Sequence, residues 1–346
     1  MIVARTLDLE HGRFTDDPET VAGPVESLSG LGYAAFSVSG TGALAFPQSD
    51  GRPGQVSMRW IDRQGRPLGR VGLPGATSYG QVLSPDGRKV AFNSYLATTS
   101  DLYLLDILRD ATTRFTTDGA NEQFPVWSPD SAQIVFSSNQ TGFYNMYLKP
   151  ASGIVGERLF AKASSNPYAN DWSRDGKTII YSNADPSTQG DIWRTNADGS
   201  GEPVPFVKTA AHEEAAKLSP DGHWLAYTSN ETGATEVFIQ RFPEGGDKLQ
   251  VSTSGGSEPQ WRADGLELYY VTSSWRLAAV QIGRGGSLTL GRASTLFETY
   301  VDTSFGALGQ EHCAPSGDGQ RFLVNVLPDV PPTVVLMQHW ANAAKR

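Results

Sequence analysis

Leu218-Ser219-Pro220-Asp221-Gly222 is the stretch that decides the fold, because its pattern recurs along the chain. The other copies are Ser37–Gly40, Leu83–Gly87, Trp127–Asp130, Trp172–Gly176, Trp261–Gly265 and Ser316–Gly319. From one copy to the next, the equivalent residues are 47, 44, 45, 46, 43 and 54 positions apart. A period near 45 residues, with several short apolar runs in each period, is typical of a β-propeller blade.

Residues 121–161 show how one period divides into strands. The apolar run Gln123–Trp127 is followed by a Ser-Pro-Asp turn, in which proline supplies the fixed φ of a type I turn. Ile134–Ser138, Tyr144–Leu148 and Glu157–Phe160 then give three more short runs with strand-like composition. The pattern predicts an all-β fold, a β-propeller of four-stranded antiparallel blades, with seven blades and six as the alternative count.

The repeats predict one propeller domain over residues 1–346. Six full repeats occupy residues 33–299, and residues 307–340 supply the inner strands of a closing blade. Residues 1–24 resemble the outer half of a repeat, so we expect this N-terminal segment to complete that blade and close the ring. Such closure removes an open sheet edge.

Composition narrows the possible environment and partners. The 346 residues carry a net charge of −9 with a pI near 5.1, which argues against nucleic-acid binding because that needs a basic surface. The single cysteine, Cys313, excludes an intramolecular disulfide, and no apolar run is long enough for a membrane span. No signal peptide is visible, so we expect a monomeric cytoplasmic protein, or a periplasmic one if the chain is a fragment.

The sequence contains no common catalytic signature. It lacks the GxSxG, Walker A and HExxH motifs and the glycine, HRD and DFG elements of kinases. We therefore expect no enzymatic activity and no cofactor. A propeller enzyme of the lyase or glycosidase type, which uses carboxylates of the channel, remains the alternative.

Polar or acidic side chains precede the first strand of successive repeats, where the loops of a propeller meet at one mouth of the central channel. These candidate rim residues are Glu122, Asn166, Glu213, Glu214, Glu258, Glu311 and His312. A rim of this kind suits a protein, a peptide or a polar small ligand, and a divalent cation is a further option. A hydrated rim that binds nothing is the competing interpretation.

Two resemblances follow from these motifs. The repeated Trp/Leu-Ser-Pro-Asp-Gly turn, followed by Ser-Asn-x-x-Gly and a Tyr-rich strand, resembles the TolB-type propeller repeat, a relative of the Trp–Asp repeat. Residues 218–261, with Arg321–Asn325 and Thr333–Leu336, look like the propeller half of certain bacterial serine/threonine protein kinases. The resemblance implies a non-catalytic binding, scaffolding or sensor propeller, or alternatively the severed sensor half of a membrane-linked kinase.

Overall fold

The computed structural model describes residues 2–22, 27–28, 33–34, 36–47, 56–75, 78–96, 99–161, 166–185, 187–285, 287–299, 311–326 and 334–338. The chain divides into two compact units. One contains residues 1–55, 302–305 and 328–346, and the other contains residues 56–301 and 306–327. All regular elements in the described part of the chain are strands, and no helix there could cross a lipid bilayer.

The first unit contains short strands. They are β1 (Ile2–Ala4), β2 (Leu7–Asp8), β3 (Arg13–Phe14), β4 (Glu19–Ala22), β5 (Ser27–Leu28), β6 (Tyr33–Ala34), β7 (Ser37–Val38) and β8 (Ala43–Pro47). β1 pairs with β4, β2 with β3, β5 with β6 and β7 with β8.

The second unit begins with the hairpin β9 (Val56–Asp62) and β10 (Pro67–Gly75) and continues as four four-stranded antiparallel meanders. Blade 1 is β11 (Ser78–Leu83), β12 (Lys89–Leu96), β13 (Thr99–Asp106) and β14 (Ala111–Arg114). Blade 2 is β15 (Glu122–Trp127), β16 (Gln133–Ser138), β17 (Asn145–Pro150) and β18 (Arg158–Ala161). Blade 3 is β19 (Pro167–Trp172), β20 (Thr178–Asp185), β21 (Gln189–Asn196) and β22 (Val204–Val207). Blade 4 is β23 (Glu213–Leu218), β24 (Trp224–Ser229), β25 (Glu236–Arg241) and β26 (Lys248–Gln250).

Two more sheets complete this unit. Blade 5 is β27 (Gly256–Trp261), β28 (Glu267–Thr272), β29 (Arg276–Gly285), β30 (Ser287–Leu290) and β31 (Ser294–Glu298). The closing blade joins β32 (Cys313–Pro315) and β33 (Arg321–Val326) to β9 and β10, in the order β10-β9-β33-β32. The last strand, β34 (Val334–Gln338), pairs with β8 in the first unit. The described residues of the propeller unit thus form six sheets. This number equals the alternative prediction of six blades rather than the first prediction of seven.

The partner of the C-terminal strands differs from the sequence-based expectation. β33 pairs with β9, whereas β34, expected as an inner strand of the same blade, pairs with β8. Residues 1–24, expected as the outer strands of that blade, pair among themselves in β1–β4 and β2–β3. The reason lies in the side chains. β9 sends Met58 and Trp60 into one seam between sheets and Ile61 into the next, as a strand packed on both faces requires. Val3 and Phe14 in the N-terminal strands are 50% and 56% exposed, so these strands could not fill two seams.

Apolar clusters fill the seams between neighbouring sheets. The large apolar residue before five of the repeated turns packs in a seam. These residues are Leu83, Trp127, Trp172, Leu218 and Trp261. The indoles of Trp127 and Trp261 also donate to the Val82 and Lys217 carbonyls of the preceding blades, at 3.1 and 3.0 Å. Further clusters join the closing blade to blade 1 and to blade 5, so seams connect all six sheets in sequence.

The repeated turn is held by side-chain bonds to its own backbone. In blade 4, Ser219 Oγ donates to Asp221 Oδ1 at 2.6 Å and accepts from the Trp224 amide at 3.0 Å. Asp221 Oδ1 also accepts from the His223 amide at 3.2 Å, and Gly222 has a φ of 74°. The same serine-to-aspartate bond, at 2.5 or 2.6 Å, occurs in Ser84–Asp86, Ser128–Asp130, Ser173–Asp175 and Ser316–Asp318. The repeated motif is therefore a structural device that fixes the hairpin between the first two strands.

The turn leads to the first testable prediction. Replacing Asp221 with Ala should lower the free energy of unfolding by about 1 kcal/mol, because two donors of the hairpin lose their acceptor. Urea denaturation measures the change, and Asp247→Ala at an exposed position is the matched control. Equal stability of the two variants would contradict a structural role for this aspartate.

Candidate functional site

The first strand of each of blades 1–5 contains a β-bulge at the same place in the repeat. At the bulge, Gly80, Phe124, Ala215 and Glu258 have φ angles of 57°, 56°, 53° and 56°. A left-handed backbone is costly for residues other than glycine, and such strain concentrates at binding and active sites. Bulges also redirect side chains and backbone groups away from the regular pleat.

The bulged segments line one cavity in the middle of the propeller unit. Residues from blades 1–5, and Glu311 just before the closing blade, contribute to its wall. They are Gly80, Val82, Phe124, Pro125, Val126, Ala169, Asn170, Ala215, Lys217, Glu258, Pro259, Gln260 and Glu311. We call this cavity the channel site. Its wall combines apolar surface with an ammonium group, two carboxylates and two amides.

Lys217, in blade 4, contacts blade 3 and the segment just before the closing blade. Its Nζ donates to the Asn170 carbonyl of blade 3 at 2.6 Å and contacts Glu311 Oε1, just before the closing blade. The side chains of Lys217 and Glu311 are only 13% and 12% exposed. Burial opposes the charge of Lys217, but the carboxylates of Glu311 and Asp171 outweigh it and raise its pKa. The ammonium is therefore held charged between two carboxylates and a carbonyl.

Asp171 lies on the strand that also carries Asn170. Its Oδ2 accepts from the Leu218 amide at 2.7 Å and its Oδ1 from the Trp172 amide at 2.9 Å. Burial raises the pKa of this carboxyl, although the positive charge of Lys217 acts in the opposite direction. Asp171 and Lys217 occupy equivalent positions on neighbouring blades, which explains their proximity.

A second ion pair lies between blade 5 and the closing blade. Glu258 Oε1 is 2.5 Å from His312 Nδ1, and Glu258 Oε2 accepts from the His312 amide at 2.9 Å. Burial opposes protonation of the imidazole, but Glu258 overcomes it and raises the pKa of His312. The Trp275 ring meets the imidazole edge to face at 6.2 Å, and Gln81 donates to the His312 carbonyl at 2.6 Å.

The Gln260 amide has unused hydrogen-bonding capacity in the wall of the channel site. Its Nε2 atom is buried and has no partner among the described residues. A buried amide without a partner costs free energy, and rotation of the amide by 180° would present its oxygen instead. Gln260 Nε2 is therefore an unsatisfied donor in a residue that lines the cavity.

The expected rim residues occupy different places in the structure. Glu258 and Glu311 line the channel site, and His312 is paired with Glu258. Glu214 is instead paired with His212, with its Oε2 atom 3.2 Å from His212 Nε2. Asn166 Oδ1 accepts from the Tyr144 amide at 3.3 Å.

Glu122 and Glu213, also expected at the rim, are fully buried. Ser138 Oγ donates to Glu122 Oε1 at 3.1 Å, and Thr209 Oγ1 donates to Glu213 Oε1. Burial, reinforced by Asp118, raises the pKa of Glu122 to about 8, and burial also raises the pKa of Glu213. In the part of the chain that the structure describes, no group of three or more His, Cys, Asp or Glu residues is placed to hold a metal ion.

Sequence reasoning missed Asn170, Asp171, Lys217 and Gln260. A signal for three of them was present. Asp171, Lys217 and Gln260 all immediately precede the large apolar residue of the repeated turn, where blades 1 and 2 have valine. Aligning the repeats at this position shows polar residues on three successive inner strands, which indicates a polar sector of the channel.

Parts of the chain are similar in sequence to known proteins. Residues 70–214 match the family model described as the TolB beta propeller domain. Over 163 residues the chain is 28% identical to an uncharacterized protein of Agrobacterium fabrum, which covers 46% of this chain and 53% of that protein. Over 93 residues it is 31% identical to the Tol-Pal system protein TolB of Anaeromyxobacter dehalogenans, covering 27% and 20% of the two chains. The chain thus spans about half the length of the first relative and a fifth of the second.

A solved structure shares the fold over most of the chain. It is a putative TolB from Agrobacterium tumefaciens, with a TM-score of 0.64 and 23% identity over 80% of this chain and 99% of that chain. At this identity the likeness concerns the fold alone, so any function must be argued from the site.

Proposed function

We propose that this chain, a TolB-like β-propeller repeat protein, is a non-catalytic binding propeller. Its channel site takes up a polar ligand or a segment of a protein partner. One observation carries the proposal. The bulges of successive inner strands all line one cavity, where polar side chains are gathered in an otherwise apolar wall. Concave sites with a few convergent polar groups are the usual form of ligand sites.

The chemistry of the channel site favours binding over catalysis. Glu311 contacts Lys217, and Glu258 is paired with His312, so each carboxylate is already engaged by a cation. General acid–base catalysis needs a group that is free to move a proton to the substrate. Burial raises the pKa of the Cys313 thiol well above its usual value, which makes the thiol a poor nucleophile. A role as the severed sensor half of a kinase remains a separate prediction.

The proposal predicts that occupancy of the channel stabilises the fold. Small probes of three kinds would be tested by thermal shift: neutral (N-acetylglycine methylamide), cationic (n-butylammonium) and anionic (butyrate). At least one should raise the Tm of the wild type through mass action, and the shift should diminish in Gln260→Leu, which removes the unpaired amide.

The matched control is Gln140→Leu, at an exposed position in the turn after β16. It should respond to the probes as the wild type does. If no probe shifts the wild type, or if all three proteins shift equally, the channel site is a solvated cavity and the proposed function is wrong.

A further inference from the structure

Building on the proposed function, we propose that the channel site is a primary-ammonium site that the side chain of Lys217 fills in the ligand-free protein. The ligand is an amine-bearing molecule whose ammonium group takes the place of the Lys217 ammonium. The chain itself therefore shows which chemistry the site accepts.

The acceptors around Lys217 Nζ suit an ammonium ion. Such a group has three N–H donors and no acceptor, so it needs several oxygens nearby. The Asn170 carbonyl lies 2.6 Å from Nζ, Glu311 Oε1 is in contact with it, and the Asp171 carboxylate is close enough to raise the pKa of Lys217. These oxygens come from blade 3 and from the segment just before the closing blade, so they surround the position from two sides of the channel.

The bulges explain why backbone carbonyls are available here. Asn170 lies in the bulge of β19, between Ala169 and Asp171, where the regular ladder with β20 is interrupted. Its carbonyl therefore points to Lys217. The His312 carbonyl, just before β32, also accepts from a side chain, that of Gln81, at 2.6 Å. Each of these carbonyls bonds a side-chain donor from another blade.

The pairing of the carboxylates also favours a cation. Glu311 contacts Lys217, and Glu258 is paired with His312, so each carboxylate in the wall of the channel site has a basic partner. If Lys217 withdrew and nothing replaced it, Glu311 would be left as a buried charge without a partner, which is strongly unfavourable. A molecule that displaces Lys217 must therefore bring its own positive charge.

The remaining wall selects an alkylammonium over a bare metal ion. Val82, Val126, Pro125 and Pro259 present apolar surface in the same cavity, which suits the methylene groups of an amine. Such an ammonium could come from a free alkylamine or from a lysine side chain of a protein partner. Both sources share the chemistry on which the proposal rests.

The test uses Lys217→Met, which keeps most of the aliphatic stem and removes the internal ammonium. n-Butylammonium represents a free amine, and Nα-acetyl-lysine methylamide represents a lysine within a peptide. Because Lys217 no longer competes, we expect at least one probe to bind this variant about tenfold more tightly than the wild type, measured by calorimetry and thermal shift. n-Butanol and tetramethylammonium, which lack a primary ammonium, should not bind.

Two controls make the result specific. Lys177→Met, at a lysine that is 81% exposed, should behave as the wild type. Glu311→Gln removes a carboxylate of the site and should weaken probe binding about tenfold relative to the wild type, since each tenfold change corresponds to about 1.4 kcal/mol. This second variant keeps the proposal testable if Lys217→Met does not fold.

The outcomes separate this inference from the proposed function. Tight binding of only the lysine derivative points to a partner protein, and binding of both amines points to the ammonium as the shared determinant. If neutral or anionic probes bind the channel and amines do not, the primary-ammonium inference is wrong while the binding function survives. If no probe of any charge binds, both are overturned.

Discussion

Replacing Glu267 with Gln should destabilise the propeller unit by about 3–5 kcal/mol, because it removes the charge that two arginines share at a buried position. Arg63 donates to both oxygens of Glu267, at 2.9 and 2.7 Å, and Arg262 donates to Oε2 at 3.1 Å. The Glu267 side chain is 1% exposed, and Tyr269 donates to it at 2.7 Å. Arg63 belongs to the β9–β10 hairpin and also donates to the Gly319 carbonyl at 3.0 Å. The cluster therefore fastens the closing blade to blade 5.

The same cluster makes stability depend on pH. Burial opposes ionisation of Glu267, but the bonds from Arg63 and Tyr269 prevail and hold its pKa below the usual value. A lowered carboxyl pKa contributes stability above the unfolded-state value of about 4.3, and the contribution is lost as the pH falls through the folded-state pKa. Urea denaturation should show the difference between wild type and Glu267→Gln at neutral pH and its decline in acid.

The matched control is Glu298→Gln. Glu298 Oε1 lies 2.8 Å from Arg276 Nη2, but the side chains of Glu298 and Arg276 are 57% and 47% exposed. The substitution should therefore lower the free energy of unfolding by no more than about 1 kcal/mol. If both variants lose the same small amount, the Arg63–Glu267 cluster does not hold the closing blade in place.

Replacing Phe322 with Ala should cost about 3–5 kcal/mol, the range for a large aromatic residue in a close-packed core. Phe322 is fully buried in the seam between the closing blade and blade 5. Its ring lies 5.0 Å from that of Tyr269 and 5.5 Å from that of Phe297. Removing it leaves a cavity at the junction that joins the two ends of the propeller sequence.

Phe143→Ala is the control, since Phe143 is 79% exposed and its loss should change stability by less than about 0.5 kcal/mol. Chemical denaturation of the two variants gives the comparison. If the two substitutions lower the free energy of unfolding by nearly the same amount, the seam at the closing blade contributes little to the stability of the fold.

The repeats predicted most of the fold because one local device recurs in them. In blades 1–4 the Ser-x-Asp turn fixes the inner hairpin and the apolar residue before it packs in the seam. Both can be recognised in the sequence, as in Ser219, Asp221 and Leu218. The repeats could not predict that β33 pairs with β9. β9 carries no copy of the turn, and its role depends on Met58, Trp60 and Ile61 filling two seams.

The candidate site was only partly predictable. The position of acidic residues before the inner strands identified Glu258, Glu311 and His312, which the structure places at the channel. The same rule failed to distinguish Glu122 and Glu213. These are the first residues of β15 and β23, two positions before the bulge residues Phe124 and Ala215, whereas Glu258 is itself the bulge residue of β27. Bulges change side-chain direction without a clear sequence mark when the left-handed residue is Phe124 or Ala215 rather than glycine.

The most direct test of the account is a crystal structure of the protein soaked with n-butylammonium. The account predicts density for the amine in the channel site, with its nitrogen within hydrogen-bond distance of Glu311 and the Asn170 carbonyl. Lys217 should then have moved away from both groups. An unchanged Lys217–Glu311 pair at saturating amine, with density only on the outer surface, would contradict it.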